Sequence, residues 1–131
     1  MSTVEERWSA EPYCYLTTTG RRSGRPHEIE IWFAPVGDTI YLMNGSGEGV
    51  VAGQSDWVKN LAADPRARVR IGNETFEGVA RTVEFDSAEH ERARELLVTK
   101  YEAGSGDLSR WRATAFPVAI ALTPGRAEGS D

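Results

Sequence analysis

Several things are scarce in this sequence, and each scarcity excludes something. There is one cysteine, Cys14, so no intrachain disulfide can form, and a lone thiol suits a reducing, cytoplasmic setting. The two histidines, His27 and His90, lie far apart, and no His-Glu-x-x-His or Cys-x-x-Cys spacing is present, which removes the common zinc arrangements. No Gly-x-Ser-x-Gly elbow announces a hydrolase triad. No apolar run approaches the ~20 residues of a membrane-spanning helix. The acidic opening from Met1 to Glu6 does not read as a secretory signal. Positive charge is short as well: 15 Lys+Arg against 20 Asp+Glu leave −5. A general nucleic-acid binder needs the opposite balance, because its affinity comes from neutralising phosphates. A chain of 131 residues is too short for a TIM barrel or a two-domain dehydrogenase. The absences leave a small cytoplasmic domain with a small-molecule partner, as a monomer or homodimer.

What is present is mostly strand. Residues 1–12 form an arm or a short helix. Tyr13–Thr18 is aromatic, aliphatic and β-branched, as strands are. Between His27 and Phe33 the apolar Ile29, Ile31 and Phe33 alternate with Glu28 and Glu30, the clearest period of two in the chain. Thr39–Met43 follows a Gly37-Asp38 turn. Residues 44–54 hold four glycines in eleven positions and read as a loop. Ser55 can cap a helix with Trp57, Val58 and Leu61 on one face. Ala67, Val69 and Ile71 make another strand, Gly72-Asn73 turns it into a longer one over Glu74–Phe85, and Pro117–Leu122 is short, apolar and β-like. A helix over Ala88–Tyr101 has Asp86 and Glu89 as a capping box, with His90 on its solvated side. Six strands joined mostly by turns of a few residues cannot be parallel neighbours, whose crossovers need a dozen residues or more. The economical arrangement is mainly β: a six-stranded antiparallel barrel over residues 13–122, with peripheral helices and a tail at 123–131.

Two local patterns bear on ligands. Gly47-Glu-Gly-Val-Val-Ala52 matches the dinucleotide fingerprint Gly-x-Gly-x-x-Gly/Ala, but that motif acts within a βαβ unit whose helix opens inside it. Here the sheet is antiparallel and the next helix starts only at Ser55, so the match is a glycine loop. The second pattern is Arg21-Arg22-Ser23-Gly24-Arg25-Pro26, three cations within five residues of an acidic chain, on a hairpin turn. Turn amides, a serine hydroxyl and guanidinium forks suit phosphate oxygens. A solvated hairpin tip carries such residues too, and the turn alone leaves both readings open. Combined with the glycine loop and the helix opening on Trp57, it outlines a groove for a long ligand with phosphate at one end and a planar ring at the other.

The order Leu16-Thr-Thr-Thr-Gly-Arg-Arg-Ser-Gly-Arg-Pro26, strand, Gly-Asp turn, strand, glycine loop and Trp57-Val-Lys-Asn-Leu-Ala-Ala-Asp-Pro65 resembles the deazaflavin (coenzyme F420)-dependent nitroreductase and quinone reductase family. That family lies in the split β-barrel superfamily of flavin-binding proteins. The resemblance is strong over residues 15–82 and continues to about Leu122. It implies an FMN-binding-like split barrel that transfers a hydride from reduced coenzyme F420 to a quinone-like or nitroaromatic acceptor. By the same resemblance the cofactor's phosphate falls to Arg21, Arg22, Ser23, Gly24, Arg25 and Pro26, with His27 beside them. Its ring falls to Met43, Asn44, Gly45 and Ser46 and to Asp56, Trp57 and Val58, with Asn60 a turn further on. Trp32 falls on the acceptor side, and Tyr101 is a second candidate there. No residue stands out as a catalytic acid, so solvent and Tyr101 are both open as proton donors.

The chain also departs from the family's pattern. His27, Glu28 and Glu30 stand where many relatives have an arginine and a proline-containing strand, and Glu48 stands where many have a lysine. These changes keep two alternatives in view: an FMN-dependent enzyme on the same barrel, and a flavin- or deazaflavin-binding module without turnover.

Overall fold

Alternation in the β-branched and aromatic segments becomes seven strands: β1 (Cys14–Thr19), β2 (Pro26–Ile31), β3 (Ala34–Val36), β4 (Thr39–Asn44), β5 (Arg66–Ile71), β6 (Glu74–Thr82) and β7 (Phe116–Thr123). Among the described residues three helices accompany them, α1 (Val4–Trp8), α2 (Asp56–Ala63) and α3 (Ala88–Ser105). The structure is a computed structural model, and it describes residues 3–44, 56–84, 87–105 and 116–123. Every strand pair is antiparallel, in the order β2-β1-β5-β6-β7-β4-β3.

That order forces the sheet to curl. Laid flat, six steps of about 4.8 Å would hold the edge strands β2 and β3 roughly 29 Å apart. Yet only Trp32 and Phe33 separate Ile31 from Ala34, a reach of at most about 11 Å. The two edges therefore approach each other at this corner, and the sheet is a split barrel with its seam between β2 and β3.

The corner also explains why there are seven strands and not six. The alternation through Phe33 predicts one unbroken strand, but Phe33 leaves the ladder. Its N–H donates to the Tyr101 hydroxyl (2.9 Å), and its carbonyl accepts from Tyr101 Oη (3.0 Å) and Lys100 Nζ (2.9 Å). Tyr101 also donates to the Pro12 carbonyl (2.8 Å). Side chains of α3 thus satisfy backbone groups that no strand can reach. β3 starts afresh against β4 on the other side of the seam.

Two apolar clusters fill the molecule. Inside the barrel lie Cys14, Leu16, Phe33, Ile40, Leu42, Val69, Ile71, Phe76 and Ile120, with Val4 of α1. Outside it, Tyr41, Met43 and Ala119 pack under Ala93, Leu97, Val98 and Tyr101 of α3. Strands β4 and β7 are therefore covered on both faces, which is why they read as continuous apolar runs. The N-terminal helix is held by Thr3, whose hydroxyl accepts from the Glu6 N–H (3.2 Å). Its Trp8 packs against Gly72, where a Cβ would sit 2.4 Å from the indole and φ is +61°.

Two expectations for α3 are corrected. Ser87 caps the helix, its hydroxyl accepting from the His90 N–H (3.0 Å), and Glu89, the other half of the expected box, is taken by Arg81 and Tyr41; Asp86 lies outside the described residues. His90 is fully buried rather than solvated, because it shares the helix face of Ala93, Leu97 and Tyr101 that lies on the sheet.

Candidate functional site

The hairpin between β1 and β2 builds the site. Gly20 and Arg25 close the turn through Gly20 N–H to Arg25 O (2.8 Å), and Gly24 N–H returns to Gly20 O (2.8 Å). Gly24 sits at φ +72°, where a side chain is strained. Ser23 Oγ accepts from the Arg25 N–H (3.1 Å) and lies 3.4 Å from His27 Nε2. The imidazole and that hydroxyl crowd Gly20 so closely that a Cβ would stand 2.6 Å from Nε2 and 2.7 Å from Oγ.

Helix α2 clamps the turn from the other side. Asn60, only 4% exposed, donates from Nδ2 to Thr18 Oγ1 (3.1 Å). Its Oδ1 accepts from the Arg21 backbone N–H (3.2 Å) and from Arg21 Nη1 (2.9 Å). Arg21 Nη2 reaches Asp56 Oδ1 at 3.3 Å. A buried amide with its donor and acceptor both engaged fixes the turn against the helix.

Between hairpin and helix opens a cleft of about 480 Å³, lined by Thr18, Gly20, Arg21, Arg22, Ser23, His27, Glu28, Ile29, Asp56, Trp57 and Asn60. Trp57 and Ile29 are half-buried and give it an apolar wall. Arg21 is committed to Asn60 and Asp56, whereas Arg22 and Arg25 have no carboxylate partner among the described residues. The Arg22 guanidinium, without a carboxylate among the described residues and in one lining with Trp57, suits an elongated ligand with an anionic group and a planar ring.

The sequence-predicted residues divide accordingly. Arg21, Arg22, Ser23, His27, Asp56, Trp57 and Asn60 meet in the cleft, while Gly24, Arg25 and Pro26 complete its turn without lining it. Val58 packs against the barrel core, and Met43 is buried under α3. Asn44 ends β4, paired through its backbone with Phe116. Gly45 and Ser46, like most of the glycine loop, lie outside the described residues. Trp32 and Tyr101 stack on one another, centroids 4.2 Å apart and planes 3° from parallel.

Thr18, Glu28 and Ile29 were not foreseen as site residues. Thr18 continues the inward series Cys14, Leu16, and a buried hydroxyl at a strand end was the available signal that a polar partner covers it. Alternation set Glu28 and Ile29 on opposite faces, yet both line the cleft, because β2 is an edge strand approached from its side. Glu30 is spent elsewhere, accepting from the Tyr15 hydroxyl (3.1 Å).

Other ionisable groups are set by the corner and core. Burial pushes the Cys14 thiol up to about 12, so it is no nucleophile at neutral pH. Burial also raises Tyr101 well above the usual phenol range and lowers Lys100 to about 8. Among the described residues no cluster of His, Cys, Asp and Glu is placed to hold a metal, and no helix is long and apolar enough to cross a membrane.

Residues 1–123 match the family model described as F420H(2)-dependent quinone reductase. Among solved structures, an F420-H2 dependent reductase (FDR-A) is 22% identical, with TM-score 0.62 over 86% of this chain and 94% of its own. A conserved hypothetical protein from Mycobacterium tuberculosis is 22% identical, with TM-score 0.65 over 90% of this chain and 76% of its own. A FAD-binding protein from Mesorhizobium loti is 15% identical, with TM-score 0.58 over 87% and 81%. At these identities the likeness speaks for the shared split-barrel fold.

Proposed function

The chain belongs to the F420H(2)-dependent quinone reductase family, and from that premise we propose that it reduces a small conjugated acceptor, quinone-like or nitroaromatic, with reduced coenzyme F420. The observation that carries this reading is one cleft holding Arg22, which has no carboxylate partner among the described residues, the hydroxyl of Ser23 and the half-buried Trp57. That donor set fits the group, which has a planar tricycle at one end and a single phosphodiester further along.

The work of this chain's residues is to bind, orient and shield. Arg22, with Ser23, holds the phosphate, Arg25 adds positive charge from the turn outside the lining, and a charge-assisted bond of this kind contributes about 1.5–3 kcal/mol. Arg21 shapes the turn through Asn60, so the free guanidiniums are presented on a fixed backbone. Trp57 and Ile29 cover the planar ring and exclude water from it. Reduced F420 supplies a hydride when bound. Trp32 is kept as the acceptor-side residue on the resemblance alone, since its stack on Tyr101 stands outside the cleft lining. The Tyr101 hydroxyl is held by Phe33 and Pro12 and its acidity is suppressed by burial, so protonation of the product is assigned to solvent.

The test is turnover. Purified protein is mixed with reduced F420 and a panel of benzoquinones, naphthoquinones and nitroaromatics, and F420 oxidation is followed by absorbance. Acceptor-dependent oxidation supports the proposal. Tight F420 binding with no oxidation across the panel refutes an enzyme and leaves a binding module.

A further inference from the structure

The cleft is not uniformly basic. Among the described residues two arginines, Arg21 and Arg22, line it together with two carboxylates, Glu28 and Asp56, so these four formal charges balance. The placement of these charges is specific. Asp56 Oδ1 stands 3.3 Å from Arg21 Nη2 and already answers that cation, and its side chain is 86% exposed at the opening of α2. Glu28 faces the cleft from the β2 edge, while its strand neighbour Glu30 is turned to Tyr15. Of the two arginines in the lining, Arg22 is the one without a carboxylate partner among the described residues. A single anionic group satisfies it, and each further charge on the ligand meets an Arg21 already answered by Asp56 and a Glu28 carboxylate with no cation to offset it among the described residues.

We propose that Glu28 and Asp56 are charge-specificity residues, which make the cleft select a ligand with one negative charge at the turn over otherwise identical ligands with several. The proposal rests on the reading of the cleft as the deazaflavin site, and it deepens that reading. Applied to F420, whose phosphodiester continues into a glutamate tail of variable length, it selects the short-tailed forms. A phosphate monoester such as FMN, which carries up to two charges on one phosphorus, is disfavoured by the same carboxylates.

The experiment uses a charge ladder: F420 preparations with zero, one, three and five glutamates, each titrated by ligand fluorescence at low and high salt. For the unmodified protein the dissociation constant should stay level or rise as glutamates are added. Glu28→Gln and Asp56→Asn, both isosteric and exposed, should each tighten the long-tailed forms by about two- to fivefold at low salt. The short-tailed forms should gain less, and the effect should shrink at high salt. Glu30→Gln serves as the control on the same strand and should leave the ladder unchanged. Affinity that climbs with every added glutamate, or a ladder unmoved by both substitutions, overturns the proposal while leaving the deazaflavin site intact. Absence of binding by every member of the ladder overturns the reading on which the proposal stands.

Discussion

Arg22 separates a ligand-binding arginine from a structural one, because its neighbour Arg21 supplies the comparison. Arg21 bonds Asn60 Oδ1 at 2.9 Å and Asp56 at 3.3 Å, so truncating it loosens the turn itself. Arg22 lines the same cleft, is exposed, and has no carboxylate partner among the described residues. Arg22→Ala should therefore leave the unliganded fold within about 0.5 kcal/mol, the range for exposed substitutions that break nothing. If Arg22 meets phosphate, its loss should weaken F420 binding by about 1.5–3 kcal/mol, roughly 10- to 150-fold in dissociation constant. Arg21→Ala should lower stability by about 1 kcal/mol, a shift of about 3 °C in Tm for a chain of this length. Fluorescence titration and thermal melts of the three proteins give both numbers, and the salt dependence of binding should be shallower without Arg22. A dissociation constant for Arg22→Ala within twofold of the unmodified protein refutes the reasoning. So does a melting temperature that falls as far as that of Arg21→Ala.

Other perturbations follow from the same geometry. Gly20→Ala puts a Cβ 2.6 Å from the His27 ring and 2.7 Å from Ser23 Oγ; both side chains are exposed and can move, so binding should suffer more than Tm. Tyr101→Phe removes the hydroxyl that joins Phe33 to Pro12 where the β1–β2 ladder ends, and should cost about 1–3 kcal/mol in urea unfolding. Lys100 is lowered by burial to about 8, so between pH 8 and the usual lysine range near 10.5 the unfolded chain holds the proton that the fold releases. Its protonation penalty is complete below pH 8 and fades as pH rises through that window. Lys100→Met removes this penalty together with the bond to the Phe33 carbonyl, so its stability at pH 7 is the balance of the two, and the gap in its favour should narrow by about 1 kcal/mol by pH 10, after allowance for partial exposure. A gap that widens with pH contradicts the burial argument.

Much of the barrel was legible because its strands obey local rules. Ile29 and Ile31 against Glu28 and Glu30, or Val69 and Ile71 against Arg68 and Arg70, announce half-buried strands whatever the rest of the chain does. The break after Ile31 was not legible, since it depends on Lys100 and Tyr101 arriving from a helix far along the chain. His90 was misread for a related reason: the charged residues around it suggest solvent, and only the packing of α3 on β4 shows which stripe faces inward. Within the site, the basic turn and Trp57 stood out by composition. The part played by Asn60 did not, because its bonds to Thr18 and Arg21 span a separation of 42 and 39 residues. Glu28 was placed by alternation on one face, a rule that loses force at a sheet edge where a neighbouring helix opens a lateral cleft.

The most direct test of the account is to map where F420 binds. Titration of the labelled protein, read simultaneously by cofactor fluorescence and backbone amide shifts, should saturate at micromolar concentrations. The shifted amides should concentrate at residues 20–29 and 56–60, with the Trp57 indole among the largest changes. Failure to saturate at tens of micromolar, or shifts centred away from the hairpin and α2, contradicts the assignment of this cleft as the cofactor site.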